Sequence, residues 1–277
     1  MGYEKLKKCL ESVRAATDFK PLVALVLGSG LGGYADEMEA VASVEYSDIE
    51  GFPVSTVPGH KGRLVFGYIS GVPAVAMQGR VHYYEGYDME DVVLPIRLMG
   101  LLGAKALFLT NAAGGANFDF SAGDFMLITD QISTLVPSPL RGANLDELGT
   151  RFPDMSKIYT PELQDAIRTT AKSMNLTLRE GVYTQFPGPN FESPAEVNMA
   201  RILGSDAVGM STACEAVAAN HMGLKICGIS CISNLACGMT DQPLTHEEVQ
   251  EAADKAAPMF KKLVSGSIAA IGKLFMQ

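Results

Sequence analysis

The chain has no tryptophan, only 4 histidines and 5 cysteines, and fewer basic than acidic residues. Each shortage excludes something. Lys and Arg total 22 against 31 Asp and Glu, a formal net charge of -9. That balance speaks against a nucleic-acid backbone or an anionic membrane surface as partner. No apolar run reaches the ~18 uninterrupted residues of a membrane helix. Residues 1–6 show no signal-peptide pattern, and Leu6 stands where a myristoylation site needs Ser or Thr. A cytoplasmic protein is the expectation. The cysteines (Cys9, Cys214, Cys227, Cys231, Cys237) are odd in number, fit no zinc spacing and have no histidine beside them. They read as reduced, buried thiols, with no metal site.

What is abundant is apolar residue and glycine. Of 277 residues 47% are hydrophobic and 28 are glycine, enough for a sizeable core closed by many tight loops. Short apolar runs at residues 22–27, 64–68, 73–77, 106–109, 124–128 and 226–232 have the length and composition of strands buried on both faces. Between them lie helix signals. Thr160-Pro161 opens a stretch with Leu163, Ala166, Ile167, Ala171 and Met174 on one face. Ser193-Pro194-Ala195-Glu196 and Thr212-Ala213-Cys214-Glu215 are capping boxes, with Gly204 and Gly223 as C-cap glycines. Thr245 opens a long C-terminal helix, expected to kink or break at Pro258. The pattern predicts an α/β fold: one domain over residues 1–277, a mixed β-sheet flanked by helices. Residues 133–159 form a long non-periodic loop of the kind that serves function or packs on a partner.

Gly28-Ser29-Gly30-Leu31-Gly32-Gly33 matches the dinucleotide fingerprint, and Asp48 and Glu50 lie about 20 residues on. The interval to the next strand is too short and too charged for a crossover helix. A turn of backbone N–H groups plus the Ser29 hydroxyl suits a simple anion as well. Other loops carry related chemistry. Pro58-Gly59-His60-Lys61-Gly62-Arg63 is a glycine-bounded turn with a histidine. If extended backbone persists past residue 77, Arg80, His82 and Tyr84 project to one side, where they can grip an oxyanion and reach a sugar hydroxyl. Thr110-Asn111-Ala112-Ala113-Gly114-Gly115 is read as a small-residue loop that lets the backbone approach a ligand. Ser211-Thr212 begins a helix whose free N–H groups favour an anion. Each feature has a bland reading as a turn, edge strand or cap; jointly they describe one phosphate-sized pocket.

Seven segments in order resemble the motifs of the trimeric purine nucleoside phosphorylases: Gly28-Ser29-Gly30-Leu31-Gly32, Val57-Pro58-Gly59-His60, Gly79-Arg80-Val81-His82-Tyr83-Tyr84-Glu85-Gly86, Thr110 to Gly115, Gly188-Pro189-Asn190-Phe191-Glu192, Val208-Gly209-Met210-Ser211-Thr212 and His246-Glu247-Glu248-Val249. The resemblance implies a nucleoside-phosphorylase-type fold and a homotrimer. It implies that Ser29, His60, Arg80, His82, the Ala112 backbone and Ser211 hold inorganic phosphate. Tyr84 and Met210 would contact the ribose, and His246 its 5′-hydroxyl. Phe191, Val208 and Gly209 would line the base pocket, and Glu192 and Asn234 would read the purine. Phe152 would enter the site of the neighbouring subunit.

Residues 235–240 depart from the vertebrate pattern and resemble bacterial members, which leaves His246 the least anchored of these. The implied activity is phosphorolysis of 6-oxopurine nucleosides in purine salvage, with Glu192, Asn234 and His82 as the catalytic groups. Phosphate is a co-substrate, and no metal or organic cofactor is expected. Asparagine at 234 favours a 6-oxo group. Methylthioadenosine or xanthosine phosphorylase is the alternative within the class; an NAD-dependent oxidoreductase or a catalytically silent nucleoside binder are alternatives outside it.

Overall fold

The computed structural model describes residues 2–28, 30–56, 61–240 and 245–276, without the side chains of residues 246–248. In chain order the first half contains α1 (Gly2–Ala16), β1 (Val23–Val26), β2 (Glu39–Glu45), β3 (Arg63–Ile69), β4 (Val72–Gln78), α2 (Met89–Val92), α3 (Leu94–Leu101), β5 (Ala106–Gly115) and β6 (Phe125–Ile132). The second half contains α4 (Pro161–Ser173), β7 (Leu178–Gln185), α5 (Pro194–Ile202), β8 (Ala207–Gly209), α6 (Ala213–His221), β9 (Lys225–Leu235) and α7 (His246–Phe275).

The strands form one mixed sheet of nine, ordered β2-β3-β4-β1-β5-β8-β7-β6-β9, with β5 also paired to β9. That extra pairing closes β5, β8, β7, β6 and β9 into a ring, while β2, β3, β4 and β1 extend from it as an open sheet. All four residues of β1 are buried, because β1 lies between parallel neighbours β4 and β5 and is covered on both faces. Its alternate side chains serve two cores. Ala24 and Val26 join Leu6, Leu98 and Ala216 on the α1, α3 and α6 side. Val23 and Leu25 join Ile167, Phe260 and Leu263 on the α4 and α7 side.

The six expected strands are present, and the expected caps are too. Ser193 Oγ accepts from the Glu196 N–H while Glu196 accepts from Ser193. Gly204 and Gly223 take φ values of 96° and 73° just after their helices. One expectation fails, and the alternative of a break in α7 is excluded. Residues 110–115 are not a loop but the second half of β5, kept in the sheet by β9 along their whole length. And α7 runs through Pro258 without a break; the buried stripe of Ala253, Ala257, Phe260, Leu263 and Val264 holds it against the sheet past the lost hydrogen bond.

The glycine-rich turn after β1 is followed only by a short 3-10 turn, Gly32–Glu37, and then by β2, which pairs antiparallel with β3. No crossover helix links β1 to a parallel neighbour there, so the dinucleotide-binding unit is absent. The turn instead packs on β5: the Gly28 N–H donates to Thr110 Oγ1 at 3.0 Å, and Thr110 Oγ1 donates to the Val26 carbonyl. A Cβ on Gly28 would lie 2.6 Å from Asn111 Cα and 2.8 Å from the Thr110 carbonyl oxygen, backbone atoms that cannot swing aside. Gly28→Ala is expected to cost about 2 kcal/mol or more. Gly33→Ala, whose Cβ would meet only Lys261 Nζ at 3.8 Å, should stay within about 0.5 kcal/mol of the wild type. Urea denaturation midpoints of the two variants check this; equal midpoints would refute the close approach of β1 and β5.

Candidate active site

The C-terminal ends of β5, β8 and β9 meet around a cavity of about 140 Å³. Its walls are supplied by residues far apart in the chain. Arg80, His82 and Tyr84 come from the segment after β4; Ala112 to Gly114 from β5; Phe191 and Glu192 from the segment before α5. Val208 to Ser211 come from β8 and its end, Ser233 and Asn234 from β9, and Val249 from α7. Every candidate site residue picked from the sequence within the described side chains lies here, except Phe152. Ser29 and His60 fall outside the described residues, as does the side chain of His246. The helix α7 does begin at His246, and Val249, one turn on, reaches the cavity.

The convergence of Arg80, His82 and Tyr84 has a different cause from the one expected. The strand ends at Gln78, and Tyr83–Glu85 is a 3-10 turn. His82 and Tyr84 are brought together by this turn, their rings stacked with centroids 4.7 Å apart and planes 16° from parallel. Glu85 holds the turn. Its Oε1 accepts from the His82 N–H at 2.7 Å and lies 3.1 Å from His82 Nδ1, while Oε2 accepts from Thr56 Oγ1 at 2.8 Å. A carboxylate only accepts, so Nδ1 is the protonated nitrogen of a neutral His82. Burial lowers the His82 pKa below the ordinary 6.5, an effect that the bond to Glu85 opposes and the Arg80 charge adds to.

Arg80 is 2% exposed. Its Nε donates to Glu215 Oε1 at 3.0 Å and its Nη1 to the Thr110 carbonyl at 2.9 Å. The Ser211-Thr212 segment differs from expectation. The amides at the start of α6 are not free: the Thr212 N–H donates to Glu215, Ala213 to the Ser211 carbonyl, and Cys214 to Gln185 Oε1. What the segment presents to the cavity is Ser211 itself.

Asn234 reaches the cavity through a β-bulge. Ala113 pairs with Ile232 and Gly114 with Asn234, so Ser233 is the extra residue that re-aims the strand. Asn234 Oδ1 accepts from Ser233 Oγ at 2.9 Å and Nδ2 donates to the Leu235 carbonyl at 3.0 Å, leaving a second amide hydrogen and a second lone pair. Glu192 is 6% exposed, and its Oε1 has no hydrogen-bond partner among the described residues. Burial raises its pKa above the ordinary 4.5, helped by the charge of Glu196. An unpartnered buried carboxylate oxygen at a cavity wall is an open acceptor awaiting a donor. Tyr84 and Met210 meet beside Gly188: a Cβ there would lie 2.6 Å from Met210 Sδ and 2.9 Å from Tyr84 Cδ1. Burial pushes the Tyr84 phenol up to about 12, so it stays protonated.

Phe152 is 86% exposed on the long loop, with the Arg151 guanidinium over its ring. It is not part of this cavity within one chain. A larger cavity, about 330 Å³, lies against α1 and α3 and is lined by Lys5, Asp91, Arg97 and His221. It holds none of the residues picked from the sequence, and its opposite charges partly pair with one another, as Lys5 does with Asp91. The sequence reading missed Glu215 and Gln185 as groups packed behind the site. The Thr212-to-Glu215 capping box was visible, but nothing in a linear pattern shows that its carboxylate also meets Arg80.

A family model described as the phosphorylase superfamily matches residues 22–269. The chain is 49% identical, over 96% of its own length and 98% of the relative's, to purine nucleoside phosphorylase 1 of Bacillus subtilis. The chain belongs to the purine nucleoside phosphorylase family of the phosphorylase superfamily. Solved structures of family members agree. Schistosoma mansoni purine nucleoside phosphorylase in complex with inosine is similar at a TM-score of 0.90 and 36% identity, covering 98% of this chain and 96% of that one. The same enzyme in complex with adenosine gives a TM-score of 0.91 at 36% identity, covering 98% and 97%. Its isoform 2, in complex with cytosine and ribose-1-phosphate, gives 0.91 at 39% identity, covering 96% of each chain.

The His82–Glu85 pair also carries a stability prediction. Burial alone would raise the Glu85 pKa, but bonds from His82 and Thr56 outweigh it and hold the carboxyl at about 2, below the ordinary 4.5. The folded value lies below the unfolded one, so this stabilisation is complete above about pH 4.5 and fades as pH falls toward 2. Glu85→Gln should lower Tm at neutral pH by about 4 °C or more and flatten the fall in Tm on the acid side. Thermal melts of both proteins across that range check this; parallel curves would contradict it.

Proposed function

We propose that this chain is a purine nucleoside phosphorylase that splits 6-oxopurine ribonucleosides and deoxyribonucleosides such as inosine and guanosine. Inorganic phosphate is the co-substrate, and free base and (deoxy)ribose 1-phosphate are the products of a reversible reaction. The observation that carries the reading is a single cavity lined by a buried guanidinium, an asparagine amide and a buried carboxylate whose Oε1 has no partner among the described residues. The first suits an anion; the other two suit a purine edge.

Breaking the N-glycosidic bond builds positive charge on the ribose and negative charge on the departing purine. Phosphate held by Arg80, His82, Ser211 and the Ala112 backbone, with Ser29 and His60 as further ligands, lies beneath the anomeric carbon as nucleophile and counter-charge. A neutral His82 accepts a proton from monoanionic phosphate, or takes one up and donates to the dianion. Tyr84 and Met210 border the sugar, and His246 meets its 5′-hydroxyl. Phe191, Val208 and Gly209 flank the base. Asn234 bonds N7 and O6, and Glu192 accepts from N1–H; both bonds strengthen as charge enters the base, so they favour the transition state over the ground state. Phosphate supplies the nucleophile directly, so the reaction as written needs no metal or organic cofactor.

Phe152 completes the site of a neighbouring chain in a homotrimer; an aromatic ring left 86% exposed supports that reading. We place the enzyme in cytoplasmic purine salvage; separately, no helix among the described residues is long and apolar enough to cross a membrane.

Incubation with inosine, with and without phosphate, tests the reaction: hypoxanthine should appear only with phosphate, and release without it would sink the reading. Asn234→Ala or Glu192→Ala should lower kcat/KM for inosine by at least ~100-fold; a loss under about tenfold discards those roles. The acid limb of kcat/KM, set by Glu192 above the ordinary carboxylate range, should move or vanish in Glu192→Gln. A methylthioadenosine-type specificity is the second reading, since the Schistosoma enzyme is seen with adenosine as well as inosine. Turnover of adenosine above inosine would favour it. Sedimentation should give a three-chain mass, and Phe152→Ala should raise KM for inosine about tenfold with the trimer intact; an unchanged KM removes Phe152 from the site.

A further inference from the structure

Glu215 sits in the first turn of α6, 1% exposed, and does not line the cavity. Beyond its cap on Thr212, neither the family motifs nor the proposed chemistry use it. Its two oxygens are divided between two parts of the anion site. Oε1 accepts from Arg80 Nε at 3.0 Å, and Oε2 accepts from the Thr212 backbone N–H at 3.1 Å.

The Thr212 end of this bridge is held in an uncommon shape. Thr212 has φ 78° and ψ -56°, and the Ala213 N–H bonds the Ser211 carbonyl at 2.9 Å. That is a γ-turn of the rare, strained hand. A β-branched residue takes a positive φ only where its surroundings hold it there. Two contacts do so: Asn111 Nδ2 donates to Thr212 Oγ1 at 2.9 Å, and Glu215 takes the N–H. At the other end, Arg80 is tied through Thr110 to the Gly28 N–H, one residue before Ser29.

We propose that Glu215 is a positioning residue for the anion. One carboxylate fixes the Arg80 guanidinium and the Ser211-Thr212 turn relative to each other, so both phosphate-directed groups are set before phosphate arrives. The inference rests on the phosphate reading above. Simple charge counting gives the opposite sign: deleting a carboxylate beside an anion site should tighten phosphate. Preorganisation predicts that deletion loosens it, because two donors lose their common anchor.

Glu215→Gln separates these. A glutamine has one oxygen and one amide NH2, so it can accept from Arg80 or from Thr212 but faces the other with a donor. The assay is phosphate-dependent hypoxanthine release from inosine, alongside equilibrium binding of inosine without phosphate. The expected result is a KM for phosphate raised at least ~10-fold, with the inosine dissociation constant within about twofold of wild type. Glu215→Asp keeps the charge but is one methylene shorter; it should raise the phosphate KM by an intermediate factor, and it is the variant to read if the Gln form does not fold. A phosphate KM that is unchanged or lowered, or an inosine affinity weakened in step with it, overturns the assignment. A wild type without phosphate-dependent release instead sinks the phosphorylase reading itself.

Discussion

The structure depends on one strand, β5, shared by the open part of the sheet and the ring. β5 is ten residues long, and its first half lies between β1 and β9 in parallel register. Its last residues pair with β8 and, across a bulge, with the end of β9. Three strands can meet there only because Ala112, Ala113, Gly114 and Gly115 occupy so little space: a Cβ on Gly115 would lie 3.0 Å from Ile232 and 3.1 Å from Leu235. The same small residues that let the ring close leave room for a cavity at the strand ends. Fold closure and site are one packing solution.

A chain of net charge -9 can favour an anion only by local means. Arg80 is withdrawn from solvent, where its field is screened little, and its orientation is fixed by Glu215 and the Thr110 carbonyl. A buried carboxylate beside a guanidinium is not by itself a gain in stability, because both ions lose their hydration. Its value lies in geometry. The strained Thr212 turn fits the same pattern: conformational energy is held at the site by contacts from Asn111 and Glu215.

Glu192 shows the complementary device. Its Oε1 is buried without a hydrogen-bond partner among the described residues, which costs free energy. A bound base carrying an N–H would satisfy it, so part of the binding energy is stored as an unmade bond. Asn234, by contrast, has its amide oriented by Ser233 and the Leu235 carbonyl.

Much of this was legible in the sequence. Apolar runs of strand length, capping boxes and C-cap glycines are set by the local chemistry of consecutive residues, and the motifs that line the cavity stand intact in the chain. The strands β2, β7 and β8 were not legible. β2 has mostly exposed or half-buried residues, β7 carries Arg179 and Glu180 among its apolar positions, and β8 is three residues long; each exists because a neighbour supplies its hydrogen bonds. The sequence likewise determined that Thr212 and Glu215 form a cap. Only the tertiary structure decided that Glu215 also meets Arg80, 135 positions away, and that the Cys214 amide of α6 is taken by Gln185. Local propensity acts over a few residues of chain, whereas the partner of a buried charge is chosen by which strands the core brings together.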